Sequence, residues 1–156
     1  MKRRIGIFTL FVAVLAAAGL LLAQDNPFVG TWKLNVAKSK YDPGPAPQSQ
    51  MRTWEASGTV TAKGIGATGN PTAYSYPING DGKKYPTNGP VPNGADTVST
   101  KRVDANTFVA NFTKAGKHVE TATFKLSKDG KTMTITAKGV LPSGQSLNNS
   151  TLWEKQ

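Results

Sequence analysis

An apolar pattern that repeats every two residues, with no helical repeat after residue 28, is the feature that most limits the fold of this chain. Apolar residues occupy every second position in three segments: Phe108, Ala110 and Phe112; Ala122, Phe124 and Leu126; and Met133, Ile135 and Ala137. Successive side chains of a β-strand point to opposite faces, so this spacing predicts half-buried antiparallel strands. The 16 Gly and 10 Pro residues of the chain recur too often for a long helix. The sequence from residue 28 onward therefore predicts an all-β fold.

Short turn sequences separate the predicted strands, and each is typical of a β-hairpin: Asp104-Ala105-Asn106, Ala115-Gly116, Lys128-Asp129-Gly130 and Pro142-Ser143-Gly144. Further strands are predicted at residues 28–36, 49–56, 59–63, 72–78, 96–103 and 147–155. About eight to ten strands in meander order indicate a sandwich or an up-and-down barrel. Residues 37–48 and 79–94 are rich in Pro and Gly and are predicted to be long surface loops, which form either the mouth of a pocket or a variable insertion.

The N-terminus has the layout of a secretory signal peptide. Lys2, Arg3 and Arg4 precede an apolar run from Ile5 to Ala23 that carries no charge. We expect cleavage after Ala23, which divides the chain into a signal peptide, 1–23, and a barrel domain, 24–156, that is periplasmic or secreted and has no stable membrane insertion. The alternative is that the same 19 residues are retained as a membrane anchor. The chain has no Cys, which excludes a disulfide and a lipid-bearing cysteine.

The positive charge does not predict nucleic-acid binding. The formal net charge is +10, and three of the cations belong to the predicted signal peptide. Beyond it only Arg52 and Arg102 are arginines, and the lysines are scattered along the chain. Nucleic-acid readers favour Arg and cluster their charge on one face. We therefore interpret the lysines as solvated strand faces that protect sheet edges.

The sequence shows no catalytic or metal centre. His118 is the only histidine, it follows a hairpin turn, and no Cys can serve as nucleophile or ligand. A Ser-His-Asp arrangement would have to use this one residue, and a zinc site needs clustered N or S ligands. We expect a protein that is not an enzyme and holds no metal or cofactor.

The first predicted strand carries a family resemblance. The segment Asn26-Pro27-Phe28-Val29-Gly30-Thr31-Trp32-Lys33-Leu34-Asn35 resembles the opening strand of the calycins, the superfamily of lipocalins, avidins and fatty-acid-binding proteins. The end of the chain, Thr151-Leu152-Trp153-Glu154-Lys155, resembles their closing strand. The resemblance implies a lipocalin-like barrel in which Gly30 lets the strand bend, Trp32 plugs one end and Lys155 lies across the indole.

A longer match and several departures refine this resemblance. The run from Phe28 to Asn35 leads into Ala-Lys-Ser-Lys-Tyr-Asp-Pro-Gly-Pro-Ala-Pro, as in a group of secreted bacterial lipocalin-like proteins of unassigned function. The Pro-rich loop replaces the helical lid of fatty-acid-binding proteins, and Thr151 stands where they place an Arg that grips the carboxylate. The Thr-Asp-Tyr signature and the disulfide of true lipocalins are missing. We expect a lipid-like ligand to be held by apolar burial, unless Arg52 or Arg102 reaches the cavity.

The leading functional hypothesis is an exported barrel that binds a small apolar or amphipathic molecule without catalysis. Tyr74 and Tyr76 share one strand face, which offers hydroxyls to orient a ligand. The candidate ligand-binding residues are Trp54, Tyr74, Tyr76, Tyr85, Arg102, Phe112 and Phe124. The alternative is a periplasmic or envelope module for protein interaction or structure, whose barrel is filled by its own side chains.

Overall fold

A computed structural model describes residues 26–156 as an all-β domain; the predicted signal peptide and its cleavage site lie outside the described residues. Ten strands follow one another along the chain: β1 (Gly30–Lys40), β2 (Ser49–Trp54), β3 (Thr59–Ile65), β4 (Pro71–Pro77), β5 (Asp81–Pro86), β6 (Thr97–Asp104), β7 (Thr107–Lys114), β8 (Lys117–Leu126), β9 (Thr132–Val140) and β10 (Ser146–Lys155). The prediction of an all-β meander is confirmed. Within the described part, no helix is long and apolar enough to cross a membrane.

All ten strands form one antiparallel sheet that curls into a nearly closed barrel. The spatial order is β4-β3-β2-β1-β10-β9-β8-β7-β6-β5, so the first and last strands are neighbours. Lys33 pairs with Glu154 and Leu34 with Trp153 across this junction. The sheet edges, β4 and β5, come together at a seam. One bridge closes it among the described residues: Ser75 of β4 and Asn88, which lies just after β5, exchange two main-chain hydrogen bonds of 2.9 Å.

The four predicted hairpins join β6 to β10 as the sequence indicates. Ala115 and Gly116, between β7 and β8, have φ of +48° and +78°. Two successive positive φ values are typical of the type I′ turn, whose twist matches that of the flanking strands. The order of the second half of the barrel therefore follows directly from the turn sequences.

The prediction of two long loops needs correction. Residues 79–94 contain the strand β5 and a short 3-10 turn, Pro92–Gly94, while β1 continues to Lys40 and leaves a loop at 41–48. The strand β5 lacks an alternating apolar pattern, and five of its six residues, all except Tyr85, are exposed. Its pairing with β6, where Tyr85 faces Val98, holds it extended.

The two ends of the barrel differ. We call the end where β1 begins and β10 ends the closed end, and the opposite end, with loops 41–48 and 87–96, the mouth. Trp32, Phe28 and Met133 are fully buried at the closed end. Near the mouth, Val91 and Ala95 of loop 87–96 are buried and Tyr41 packs against the core. Both loops therefore cover the barrel interior.

Candidate functional site

The closed end has the arrangement that the family resemblance implies for Gly30, Trp32 and Lys155. The indole Nε1 of Trp32 donates a 2.8 Å hydrogen bond to the Phe28 carbonyl, and the ammonium of Lys155 lies 5.1 Å from the centre of the Trp32 ring. Gly30 has φ of +133°, and an added Cβ would stand 3.0 Å from Cε of Lys155. Glycine suits this position because it tolerates the positive φ and leaves room for the lysine that lies over the indole.

Aromatic rings fill the space above this plug. Trp54 contacts Phe28, Phe108 and Phe124 with ring centres 4.6, 5.2 and 5.8 Å apart. The tilted and edge-to-face geometries are those that aromatic pairs favour. Two of the predicted ligand-binding residues, Trp54 and Phe124, thus have a packing role at the closed end.

A polar cluster of Arg52, Tyr74 and Tyr76 lies inside the barrel, between this aromatic packing and the mouth. Alternation along β2 turns Arg52 inward with Trp54, and only 7% of the Arg52 surface is exposed. Its Nη1 donates to the Tyr76 hydroxyl oxygen at 2.5 Å, and its Nη2 lies 3.3 Å from the Tyr74 hydroxyl oxygen. The two tyrosine rings stack with their centres 6.3 Å apart.

The Arg52 side chain is a buried cation that forms no salt bridge with any residue of the described range, 26–156. The guanidinium carbon lies 4.8 Å from the Trp153 ring centre and 5.6 Å from that of Phe124. Burial acts to lower the pKa of Arg52, but the attraction of the Tyr76 and Tyr74 oxygens outweighs it and raises that pKa. The guanidinium therefore stays charged inside the barrel, stabilised by aromatic faces and hydroxyl oxygens.

The polar cluster contains hydrogen-bond donors that have no acceptor within the described residues, 26–156. The Tyr74 hydroxyl oxygen accepts from Gln50 and Arg52, and that of Tyr76 accepts from Arg52. Within residues 26–156 neither hydroxyl donates a hydrogen bond, and the buried Nε of Arg52 has no partner. A buried donor without an acceptor costs free energy, so such a set favours an added group that accepts hydrogen bonds.

A buried carboxyl group, Glu120 of β8, stands between this cluster and the mouth. Only 5% of its surface is exposed, and its Oε2 accepts a 2.6 Å hydrogen bond from the Asn93 amide of loop 87–96. Burial raises the pKa of Glu120 to about 7, although Arg52 and the Asn93 bond act to lower it. This group therefore changes its charge near neutral pH, beside the loop that covers the interior.

The other covering loop also reaches the cluster. Burial, reinforced by Tyr74, raises the pKa of the Tyr41 hydroxyl to about 12, so this side chain is neutral at the mouth. Two hydrogen bonds fix the loop to β10: the Asp42 amide donates to the side-chain Oδ1 of Asn149, and the Asn148 amide donates to the Asp42 carbonyl. Loop 41–48 is thus fastened to the barrel rim.

The structure brings together most of the predicted ligand-binding residues but not all. Phe112 contacts Tyr76 inside the barrel with ring centres 5.2 Å apart. Tyr85 lies instead on the edge strand β5, where its hydroxyl donates to Asp81. Arg102 is exposed, stacks on Phe108 at the closed end and donates to the carbonyls of the β6–β7 turn. The interior cation is therefore Arg52 and not Arg102.

Thr151 stands where the fatty-acid-binding proteins of the resembling superfamily place an Arg, and its hydroxyl is occupied by other contacts. Its hydroxyl is buried, donates to the Ile135 carbonyl and accepts a 2.9 Å bond from the Trp153 indole. Both functions of the hydroxyl are used in packing β10 against β9. The Thr151 hydroxyl is therefore fully used by contacts within the barrel.

No protein-family model and no curated protein matches the chain, so sequence comparison assigns it to no family. The nearly closed antiparallel barrel is consistent with a lipocalin-like fold. No group of three His, Cys, Asp or Glu that could hold a metal ion occurs among residues 26–156.

Proposed function

We propose that the chain is an exported, non-catalytic barrel that binds a single-chain amphipathic molecule, with an anionic head group on Arg52, Tyr74 and Tyr76. The observation that carries this proposal is the set of buried hydrogen-bond donors without an acceptor in this cluster, inside a mainly apolar barrel. A carboxylate or phosphate supplies several acceptor atoms and one or two negative charges. It would satisfy the Arg52 Nε and both hydroxyls together.

The surroundings of the cluster suit the remainder of such a molecule. Buried apolar side chains also belong to this interior, among them Leu34, Val98, Phe112 and Ile135. An alkyl chain is stabilised there by burial of apolar surface, at about 25 cal/mol for each Å² removed from water. Entry requires the covering loops at the mouth to move, and loop 87–96 is held to the interior through Asn93 and Glu120.

Fluorescence titration of the exported chain with a fatty acid and the matching fatty alcohol tests the head-group assignment. Charge-assisted hydrogen bonds contribute about 1.5 to 3 kcal/mol and neutral ones about 0.5 to 1.5, a difference near tenfold in affinity. We expect the affinity for the acid to be at least about tenfold higher than the affinity for the alcohol. Trp153 lies 4.8 Å from the guanidinium and reports on occupancy of the site.

Arg52→Met should reduce the preference for the acid to less than about threefold, because Met keeps much of the volume but no donor. Arg102→Met is the matched control, since it removes the exposed arginine at the closed end. A Tyr74→Phe/Tyr76→Phe double variant removes only the two hydroxyls and retains the rings. Equal affinities for acid and alcohol in the wild-type chain would refute the head-group assignment.

Export is tested by the mass of the mature protein. We propose a periplasmic or secreted chain that begins near Gln24, because a charged start, an uncharged apolar run and Ala23 form the pattern of a signal peptide. Intact mass spectrometry of protein from the periplasm or medium should show this start. Recovery of residues 1–23 in a membrane fraction would support the retained anchor instead.

A specific observation favours a second candidate, the interaction or structural module. The largest interior side chains, including Trp32, Trp54 and Trp153, are at most 1% exposed, so the closed half of the barrel is filled. Absence of binding for both titrated ligands, together with no bound small molecule in native mass spectrometry, would favour this candidate.

A further inference from the structure

A cleft of about 340 Å³ lies on the rim of the barrel mouth, outside the polar cluster. It is lined by Asn93, Lys114, Lys117, His118, Val119, Val140, Leu141 and Pro142. These residues come from loop 87–96, from both sides of the β7–β8 turn, and from the end of β9 with the turn that follows. The volume lies within the range of small-molecule sites, about 300 to 1,000 Å³.

The walls of this rim cleft differ in chemistry. One wall carries Lys114, Lys117 and His118, all exposed to solvent. The ammonium of Lys114 lies against the opposite loop, where a Cβ added to Gly94 would come within 2.9 Å of Nζ. The imidazole of His118 is held by Thr121, with Nε2 at 2.8 Å from its hydroxyl oxygen. No acidic residue lines the cleft.

The other wall is apolar and exposed. Val140 is 52% exposed, and it is one of three large hydrophobic residues with a high exposure in the described chain. Leu141 and Pro142 continue this surface into the β9–β10 turn. Single exposed apolar residues are ordinary on protein surfaces, whereas a group of them beside charged residues indicates a binding surface.

An irregularity in β8 builds the floor between the two walls. Phe112 pairs with Glu120 and Thr113 with His118, which leaves Val119 as an extra, bulged residue. Gly139 of β9 permits the close approach of this bulge, since a Cβ there would collide with the Val119 carbonyl oxygen. Bulges redirect side chains at barrel rims and next to binding sites.

We propose that the rim cleft is a second binding site, which takes the monomer of a single-chain anionic amphiphile. Lys114 and Lys117 bind its phosphate or carboxylate head, and Val140, Leu141 and Pro142 contact the first part of its alkyl chain. The cationic wall is complementary to that head group, and the concave shape suits one molecule more than the flat surface of a bilayer. The site stands apart from the polar cluster and does not require the interior to be occupied.

Amide NMR titration of the exported chain with decyl phosphate, below the concentration at which it aggregates, tests this site. Decanol serves as the uncharged probe. We expect shifts at Lys117, His118 and Val140 that persist in Arg52→Met. The double variant Lys114→Gln/Lys117→Gln should weaken binding of decyl phosphate about fivefold or more at low salt, since exposed ionic contacts are individually weak. Val140→Ser should weaken the binding of both probes.

Lys128→Gln is the matched control, because Lys128 is exposed in the turn at the closed end. If it weakens decyl phosphate binding as much as the double variant, net charge alone attracts the ligand and the site is refuted. Binding to anionic vesicles without binding of the monomer would assign the surface to a bilayer and overturn the proposal. Shifts confined to Tyr74 and Tyr76 would support the interior site and refute the rim site. Shifts confined to the rim would support the rim site and refute the interior site.

Discussion

Trp32 closes one end of the barrel, and its contribution is expected to be structural whether or not the interior binds a ligand. The side chain is fully buried, its indole N–H is satisfied by Phe28, and Lys155 covers its face. Trp32→Ala should lower the free energy of unfolding by about 3 to 5 kcal/mol, as aromatic truncations in cores do. Denaturant unfolding measures this change.

Lys155→Met is the companion variant, because it removes the cation and keeps an apolar side chain over the indole. It should cost about 0.5 to 1 kcal/mol, the range of exposed cation–π contacts. A loss below about 1 kcal/mol for Trp32→Ala itself, within the range of surface substitutions, would contradict the role of Trp32 as the plug.

Glu120 should make the stability of the barrel depend on pH. Burial raises its pKa from the ordinary 4.5 to about 7, so between these values the folded chain holds a proton that the unfolded chain has lost. The free energy of unfolding therefore falls as the pH rises from 4.5 to 7, by up to about 3 kcal/mol, and is constant with respect to this group above that range. Urea unfolding at pH 5 and pH 7.5 gives the difference.

Glu120→Gln should remove this pH dependence, because the amide oxygen still accepts from Asn93 and carries no charge. Glu55→Gln is the control, since Glu55 is exposed beyond the end of β2. A wild-type chain that is equally stable at both pH values would show that Glu120 is ionised throughout.

At the scale of single residues, the sequence carries a signal for two interior residues that were not among the candidate ligand-binding residues. Arg52 lies two positions from Trp54, and Glu120 two positions from Ala122, so alternation alone places both on the inner face. A charged residue on that face is the signal for an interior site. The bond between Asn93 and Glu120 had no such signal, because it joins residues 27 positions apart through an irregular loop.

At the scale of elements, the predictions succeeded where turn chemistry and alternation agree. The hairpins from β6 to β10 have both, and their positions are confirmed. The strand β5 has neither, because its sequence Asp-Gly-Lys-Lys-Tyr-Pro is polar and lies between glycines and prolines. Only its hydrogen bonds to β6 make it a strand, and such pairing cannot be read from local composition.

The β7–β8 hairpin offers a stabilising substitution. Ala115 has φ of +48°, a conformation that Asn and Gly adopt more readily than Ala. Ala115→Asn should therefore raise the free energy of unfolding by about 0.5 to 1 kcal/mol. The Ala115 amide keeps its 2.7 Å bond to Asp96. Thermal and denaturant unfolding measure the gain, and Ala105→Asn, in the β6–β7 turn, is the control without a positive φ. A loss of stability in Ala115→Asn would contradict the turn assignment.

At the scale of the whole molecule, barrel closure is uneven. The strand β1 pairs with β10 at four successive positions, from Trp32–Lys155 to Asn35–Leu152, and again at Lys40–Ser150. At the seam, by contrast, β4 is bonded only by the isolated bridge from Ser75 to Asn88, which lies just after β5, among residues 26–156. Unpaired strand edges open at lower free energy than strands paired on both sides. Motions that open the barrel should therefore begin at this seam, next to Tyr74 and Tyr76 of β4.

Hydrogen exchange should show this asymmetry directly. We expect amides of β4 and β5 to exchange about tenfold or more faster than those of β9 and β10, which have partners on both sides. The variant Ser75→Cys/Asn88→Cys places a disulfide across the bridge, in a chain that has no other cysteine. Closing this short loop should stabilise the fold by roughly 2 to 3 kcal/mol and slow exchange in β4 and β5, with reversal on reduction. Equal exchange rates in all ten strands, unchanged by the disulfide, would show that the seam is no weaker than the other strand pairs.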